Sequence, residues 1–317
     1  QNNGQPGWRV KRRKEKELIW GMASTADYFG FPVSQLHEPA IRRHGVLYNS
    51  PHSGRLYPKS FLAETRLDRR MIRRSEDVHV DSLFAEVVEQ GYPLHAANFP
   101  RAYVDVNREP YELDPRMFDG PLPAYANTGS ARVAGGLGSI PRVVGEGIDI
   151  YARRLPVEQT LARIDHVYKP FHQALRGHIQ SLQQEFGYCV LVDCHSMPSS
   201  VRSGDRGATP DVIIGDRFGM SAFAWVSALA VETFQSLGFS VMRNKPYAGG
   251  YITEHYGRPG RGSHALQIEI NRGLYLDETT LLLNSGFASL RQAIGRFALA
   301  FGEEVGSNLG FSRLAAE

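Results

Sequence analysis

The chain has 317 residues, 42% of them hydrophobic and 22% charged, which supports a sizeable core and excludes a mainly disordered, collagen-like or coiled-coil chain. Two cysteines exclude a disulfide scaffold, and no stretch reaches the roughly 20 apolar residues that a membrane helix needs, so no membrane partner is expected. The net charge of +3 is concentrated in the basic run from Arg9 to Lys16; the remainder is close to neutral, which argues against a nucleic-acid partner.

Residues 1–21 begin without Met and lack the plan of a signal peptide. They are expected to be a non-native or disordered extension, with the natural start at Met22. The alternative is a basic tail for RNA or an anionic membrane. Residues 22–317 are expected to form a single domain, since neither an internal repeat nor a clear linker interrupts them.

In chain order, residues 45–50 read as a buried strand that delivers Pro51, His52, Ser53 and Gly54 to a loop. Residues 76–90 carry helical spacing and close at Gly91. Residues 102–106 read as a strand with Asn107 and Arg108 just past it. Residues 119–147, rich in Gly and Pro, read as a long irregular loop. Residues 156–186 form the longest helical pattern, with a kink expected at Pro170. Residues 188–192 read as a buried strand ending at Asp193, Cys194, His195 and Ser196. Strands at 212–215 and 239–242 bracket a helix at 222–237. A Gly/Tyr-rich loop (246–263) leads to a strand at 265–270 with Glu269 inside it, and residues 277–304 read as helical. The alternation predicts an α/β fold, a three-layer α/β/α sandwich around a mixed, mostly parallel sheet.

Polar residues gather at strand ends, where open α/β sheets place their sites. His52 and His195 each follow a strand. Two imidazoles and a carboxylate, with one position left open, form the ligand set of a catalytic zinc, and a further carboxylate would act as base. Each residue also has a plainer reading. His52 could be a turn histidine, Asp81 a helix N-terminal acid, and Arg108 the partner of Glu109 or Glu112 in a surface ion pair. Cys194 alternates away from His195 and reads as core. Glu269 is the hardest to explain away, since a carboxylate in an apolar strand is costly unless paired or working.

The segments N-S-P-H-S-G (49–54), H-V-D-S-L-F (79–84), Y-V-D-V-N-R-E-P (103–110), V-D-C-H-S-M (192–197), P-D-V-I-I-G-D-R-F-G (210–219), G-G-Y-I-T-E-H-Y-G-R-P (249–259) and H-A-L-Q-I-E-I-N-R-G-L-Y (264–275) together resemble the N-formylglutamate amidohydrolase family of the zinc carboxypeptidase-like superfamily. The resemblance implies a phosphorylase/hydrolase-like sandwich binding one zinc per chain. It implies hydrolysis of the amide of an N-acyl amino acid, with N-formyl-L-glutamate as the namesake substrate, a reaction of histidine degradation. Carried over residue by residue, it makes His52, Asp81 and His195 the metal ligands, Glu269 the base, and Asn107 with Arg108 the pair that holds the substrate carboxylate. Arg142, His255 and Tyr251 are then candidates to stabilise the oxyanion or hold substrate. Residues 127–147 depart from the loop of the dedicated histidine-degradation enzymes and resemble that of related members. The rival readings are the same chemistry on another N-acyl amino acid or a cell-wall-type amide, and a non-catalytic binding protein on the same fold. With no signal peptide and few cysteines the cytoplasm is the expected location. The sequence leaves a homo-oligomer open.

Overall fold

The computed structural model describes residues 29–314 apart from 146, 203–206 and 208. The expectations for residues 1–21 and for a start at Met22 lie outside the described residues.

The apolar runs pair into one seven-stranded sheet. Its strands are β1 (Ser34–His37), β2 (Val46–Ser50), β3 (Leu94–Ala97), β4 (Cys189–Met197), β5 (Val212–Gly215), β6 (Val241–Arg243) and β7 (Ser263–Asn271), in the order β1-β3-β2-β4-β7-β5-β6. The pairs β3–β2, β2–β4, β4–β7 and β5–β6 are parallel; β1–β3 and β7–β5 are antiparallel. The sheet is therefore mixed and mostly parallel, as expected.

The helices that matter here are α1 (Val80–Phe84), α2 (Glu86–Glu89), α3 (Val157–Arg163), α4 (Lys169–Phe186), α5 (Ala224–Ser236), α6 (Tyr251–Tyr256) and α7 (Phe287–Leu314). Because side chains alternate along a strand, the sheet buries two apolar faces. Leu47 and Leu191 pack with Phe171, Leu175 and Ile179 of α4. Val46, Tyr48, Val190, Val192 and Leu266 pack on the other side with Phe84 of α1, Phe234 of α5 and Phe297 of α7. This is the three-layer α/β/α arrangement. Phe297 stacks on Phe234 at 4.0 Å between ring centroids and on Phe301 at 5.3 Å. Phe297→Ala is expected to cost about 3–5 kcal/mol of stability, measured by urea denaturation.

Several segments differ from the sequence expectations. The helix expected over 277–304 begins only at Phe287, because Leu276–Asp277 and Leu282–Leu283 pair antiparallel ahead of it, and the loop expected over 246–263 contains α6. The helix expected from residue 76 starts only at Val80, because His79 takes a left-handed backbone (φ 63°) and breaks the run. Residues 102–106 form no strand. Pro100 opens a turn that accepts from the Tyr103 amide (2.9 Å), and the Asp105 amide donates to Ser139 (2.7 Å) rather than to a sheet neighbour. β4 does not stop at Val192 but runs through His195 to Met197. The long helical pattern is continuous from α3 to α4 through a π-turn at Ile164–Tyr168, where Pro170 enters α4 within its first turn and its missing N–H is tolerated. Among the described residues no helix is long and apolar enough to cross a membrane.

Candidate active site

Three strands carry apolar residues on the α4 side at their N-terminal ends and polar residues on that same side further along. Leu47 gives way to Asn49 on β2, Leu191 to Asp193 and His195 on β4, and Ala265 to Gln267 and Glu269 on β7. The register places Glu269 beside His195 and Gln267 beside Asp193. The sheet itself thus builds the floor of a polar site at the carboxyl ends of its central strands.

His52, Asp77 and His195 meet there, all buried, with one ligand atom from each within 4.8 Å of the others. Asp77 Oδ2 lies 3.3 Å from His52 Nδ1 and 2.9 Å from His195 Nδ1. The far nitrogen of each ring is fixed by a carboxylate: His52 Nε2 donates to Asp105 Oδ1 (2.8 Å) and His195 Nε2 to Asp193 Oδ2 (2.8 Å). An ionised carboxylate only accepts, so these bonds place a proton on each Nε2 and aim each Nδ1 at Asp77. His52 Nδ1 is buried with no hydrogen-bond partner, an orphaned acceptor that a cation would satisfy. Two imidazole nitrogens and one carboxylate oxygen, each ring oriented by an outer carboxylate, fit a divalent metal of the zinc type. Asp193→Asn is expected to weaken metal affinity about 10–100-fold, read by chelator competition.

The electrostatics agree with a site built to hold positive charge. Burial opposes charge on Asp77, but the imidazole of His195, hydrogen-bonded to it, and the neighbouring imidazole of His52 outweigh that and hold the carboxyl well below its usual range. Burial also opposes a positive charge on His195, and there the Asp193 carboxylate prevails and raises the imidazole. Arg272 reinforces Asp77 from behind, donating to its Oδ1 (3.1 Å), to the Glu76 carbonyl (2.9 Å) and to Ser196 Oγ (3.0 Å).

Glu269 stands beside this group. Burial raises its carboxyl to about 7, against the pull of His195, Arg101 and Arg272. Gln267 Nε2 donates to Glu269 Oε1 (2.9 Å), and the Gly250 amide donates to Gln267 Oε1 (2.8 Å), so the carboxyl is held in one orientation. Arg101 donates to Asp105 Oδ2 (2.7 Å), and the charges of Asp105, Asp77 and Glu269 sustain its own despite burial. Tyr247 also faces Glu269, whose charge adds to burial in raising the phenol.

The other expected residues fall in different places. Asp81 is not in the metal group; it opens α1 and pairs with Arg55 at 2.6 Å. The turn at His79 separates it from Asp77, so the carboxylate that meets the imidazoles is the one before the turn. Arg142 is held by Asp114 (3.0 Å) and Asp149, and its bonds reach none of His52, Asp77, His195 or Glu269. His255 stacks on Tyr251 at 5.0 Å. The Tyr251 phenol is bonded to that of Tyr168, which donates to the Arg108 carbonyl (2.7 Å).

Asn107 lies inside the wall. Its amide nitrogen is 3.2 Å from His195 Nε2 and 3.4 Å from Asp193 Oδ2, and its oxygen accepts from the Ile252 amide (2.8 Å) at the start of α6. A Cβ on Gly250 would lie 2.4 Å from this amide, so only glycine lets α6 approach. Arg108 sits above it, donating to the carbonyls of Asn107 (2.9 Å) and Leu137 (3.1 Å) and lying 3.8 Å from Asp105. Sequence reasoning missed Asp77, Arg101, Asp105, Asp193 and Arg272. The two-residue spacing of Asp193 and His195 on one strand face was the available signal for Asp193; Asp105, in an apolar segment without strand geometry, offered none.

The comparisons with known proteins agree with this geometry. The family model for N-formylglutamate amidohydrolase matches residues 44–276. The N-formylglutamate deformylases of Pseudomonas putida and Pseudomonas aeruginosa are 28% and 29% identical, each over 74% of this chain and 82% of their own length. A solved N-formylglutamate amidohydrolase from Ralstonia eutropha JMP134 superposes with a TM-score of 0.80 at 33% identity, covering 86% of this chain and 98% of that one. A gene product of Agrobacterium tumefaciens shares the fold, with a TM-score of 0.61 at 19% identity, over 87% of this chain and 95% of its own. With a match that spans both imidazoles, Asp77 and Glu269, the chain belongs to the N-formylglutamate amidohydrolase family, a family of amide-bond hydrolases.

Proposed function

We propose that this protein is a zinc-dependent amidohydrolase that cleaves the amide of an N-acyl amino acid, N-formyl-L-glutamate giving formate and L-glutamate being the first substrate to test. The observation that carries this reading is the buried His52–Asp77–His195 group beside a carboxyl poised near 7, in a chain of this family. His52, Asp77 and His195 would hold the metal, which when bound supplies Lewis acidity toward the carbonyl and toward water. Glu269 takes a proton from the water as its oxygen attacks the acyl carbon, and returns a proton to the nitrogen as the C–N bond breaks. Arg101, already sustained by three carboxylates, faces the negative charge that develops on the acyl oxygen.

Arg108 meets the carboxylate of the substrate's amino acid with the guanidinium edge that its carbonyl bonds leave open. Asn107 supports rather than binds, by tying the start of α6 to the Asp193 carboxylate that orients His195. Tyr251 lines the same side through α6. Arg142 and His255 have no role in this scheme. The two buried, unpaired cysteines suit a cytoplasmic setting. Metal analysis together with formate release before and after chelation tests the proposal. About one zinc per chain and chelator-sensitive formate release are expected. Absence of both would overturn it.

A further inference from the structure

The scheme above leaves one fully buried histidine without a task. His95 lies on β3, and its ring packs on α4, 4.7 Å from the ring centroid of Phe171 and 5.2 Å from that of His178. The strand register puts it in a polar row that crosses the sheet. His95 on β3 is opposite Asn49 on β2, Asn49 is opposite Asp193 on β4, and Asp193 is opposite Gln267 on β7. Gln267 donates to Glu269, and Asp193 accepts from His195. One line of side chains therefore supports both of these groups.

At the β3 end of the row the hydrogen bonds run in one direction. Asn49 Nδ2 donates to Asp193 Oδ1 (2.7 Å), and Asn49 Oδ1 faces His95 Nδ1 at 2.9 Å. An amide oxygen only accepts, so the His95 proton sits on Nδ1 and Nε2 is the bare nitrogen. That Nε2 is buried with no hydrogen-bond partner. Burial, with His178 and His172 adding to it, lowers the ring to about 3, so it stays neutral with a single N–H. An apolar side chain would fill the same place without an unpaired buried nitrogen. What the histidine adds is the N–H to Asn49.

That N–H matters because the two ends of an amide have nearly the same shape. Turned over, Asn49 would set its oxygen against the Asp193 carboxylate, two acceptors in contact at a buried place. A donor on the His95 side excludes this arrangement. We propose that His95 is a positioning residue of this hydrolase: through Asn49 it holds Asp193 as a fixed acceptor for the His195 Nε2 proton, which leaves His195 Nδ1 bare and aimed at the metal. The inference rests on the metal-site reading above and adds to it two residues that are not themselves metal ligands.

Zinc affinity of the full chain, measured by chelator competition, reads the effect apart from turnover. His95→Phe keeps a ring and removes the donor. His95→Asn loses the ring and keeps a donor at the δ position. Zinc affinity is expected to fall about tenfold in Asn49→Leu and about 3–10-fold in His95→Phe, at or below the low end for direct partners of a ligand. It is expected to recover to near the wild-type value in His95→Asn, although that variant loses more packing. In the Asn49→Leu background, His95→Phe is expected to weaken zinc no further, because the two residues act as one unit. Proton–nitrogen correlation spectra of the zinc-free wild type are expected to show His95 protonated on Nδ1, a readout that needs no variant to fold. Unchanged zinc affinity in His95→Phe, an equal loss in His95→Asn, a full further loss on top of Asn49→Leu, or a proton on His95 Nε2 would each overturn the inference alone. A wild type that binds no zinc would overturn the metal reading and this inference with it.

Discussion

Glu269→Gln is expected to lower kcat/KM for N-formyl-L-glutamate by roughly 10²–10⁴-fold, the range of a lost general base, while leaving the metal content unchanged. The carboxyl is placed for proton transfer by the register of β7 against β4, which sets it directly beside His195. Burial lifts it to about 7, where it can both accept and return a proton near neutral pH. The amide of Gln keeps the shape and the acceptor for Gln267, and loses only the proton chemistry. Kinetics and elemental analysis on the same preparation separate the two effects. Full activity in the variant would remove Glu269 from the mechanism, and loss of metal would mean that it acts on the site's structure instead.

The second large effect divides two aspartates four residues apart. Asp77→Asn is expected to abolish activity and to weaken metal binding by more than the roughly 10–100-fold typical of outer-sphere partners. It removes the carboxylate on which His52, His195 and Arg272 converge, and leaves Arg272 without its buried counter-charge. Asp81→Asn is expected to leave metal binding unchanged and to shift stability by no more than about 1 kcal/mol, because it breaks only the ion pair with the exposed Arg55. Isothermal titration with zinc on both variants decides the assignment. A metal defect in Asp81→Asn with normal binding in Asp77→Asn would restore the ligand set expected from the sequence.

That pair of aspartates also marks the limit of sequence reading. Asp77 and Asp81 share one helical face if the helix begins at residue 76, and nothing local then distinguishes them. The left-handed turn at His79 breaks that face, and a non-glycine residue in such a conformation carries no sequence signature. The segment 102–106 shows the same limit. Its apolar pattern suits a strand, yet it folds as a turn because its amides bond to Pro100 and Ser139. Asp105 could then reach His52 and Arg101.

The sequence by itself determined the α/β class, the strands that deliver His52 and carry His195, the placement of Cys194 in the core and the anomaly of Glu269 in an apolar strand. These rest on periodicity and on the cost of burying charge, which act within a few residues. Tertiary structure alone decided which carboxylate joins the imidazoles, which carboxylates orient them, and that Arg101 rather than Arg142 faces the site. Those choices depend on contacts between residues as distant as Asp77 and His195, and only the folded chain brings such groups within 3 Å of one another.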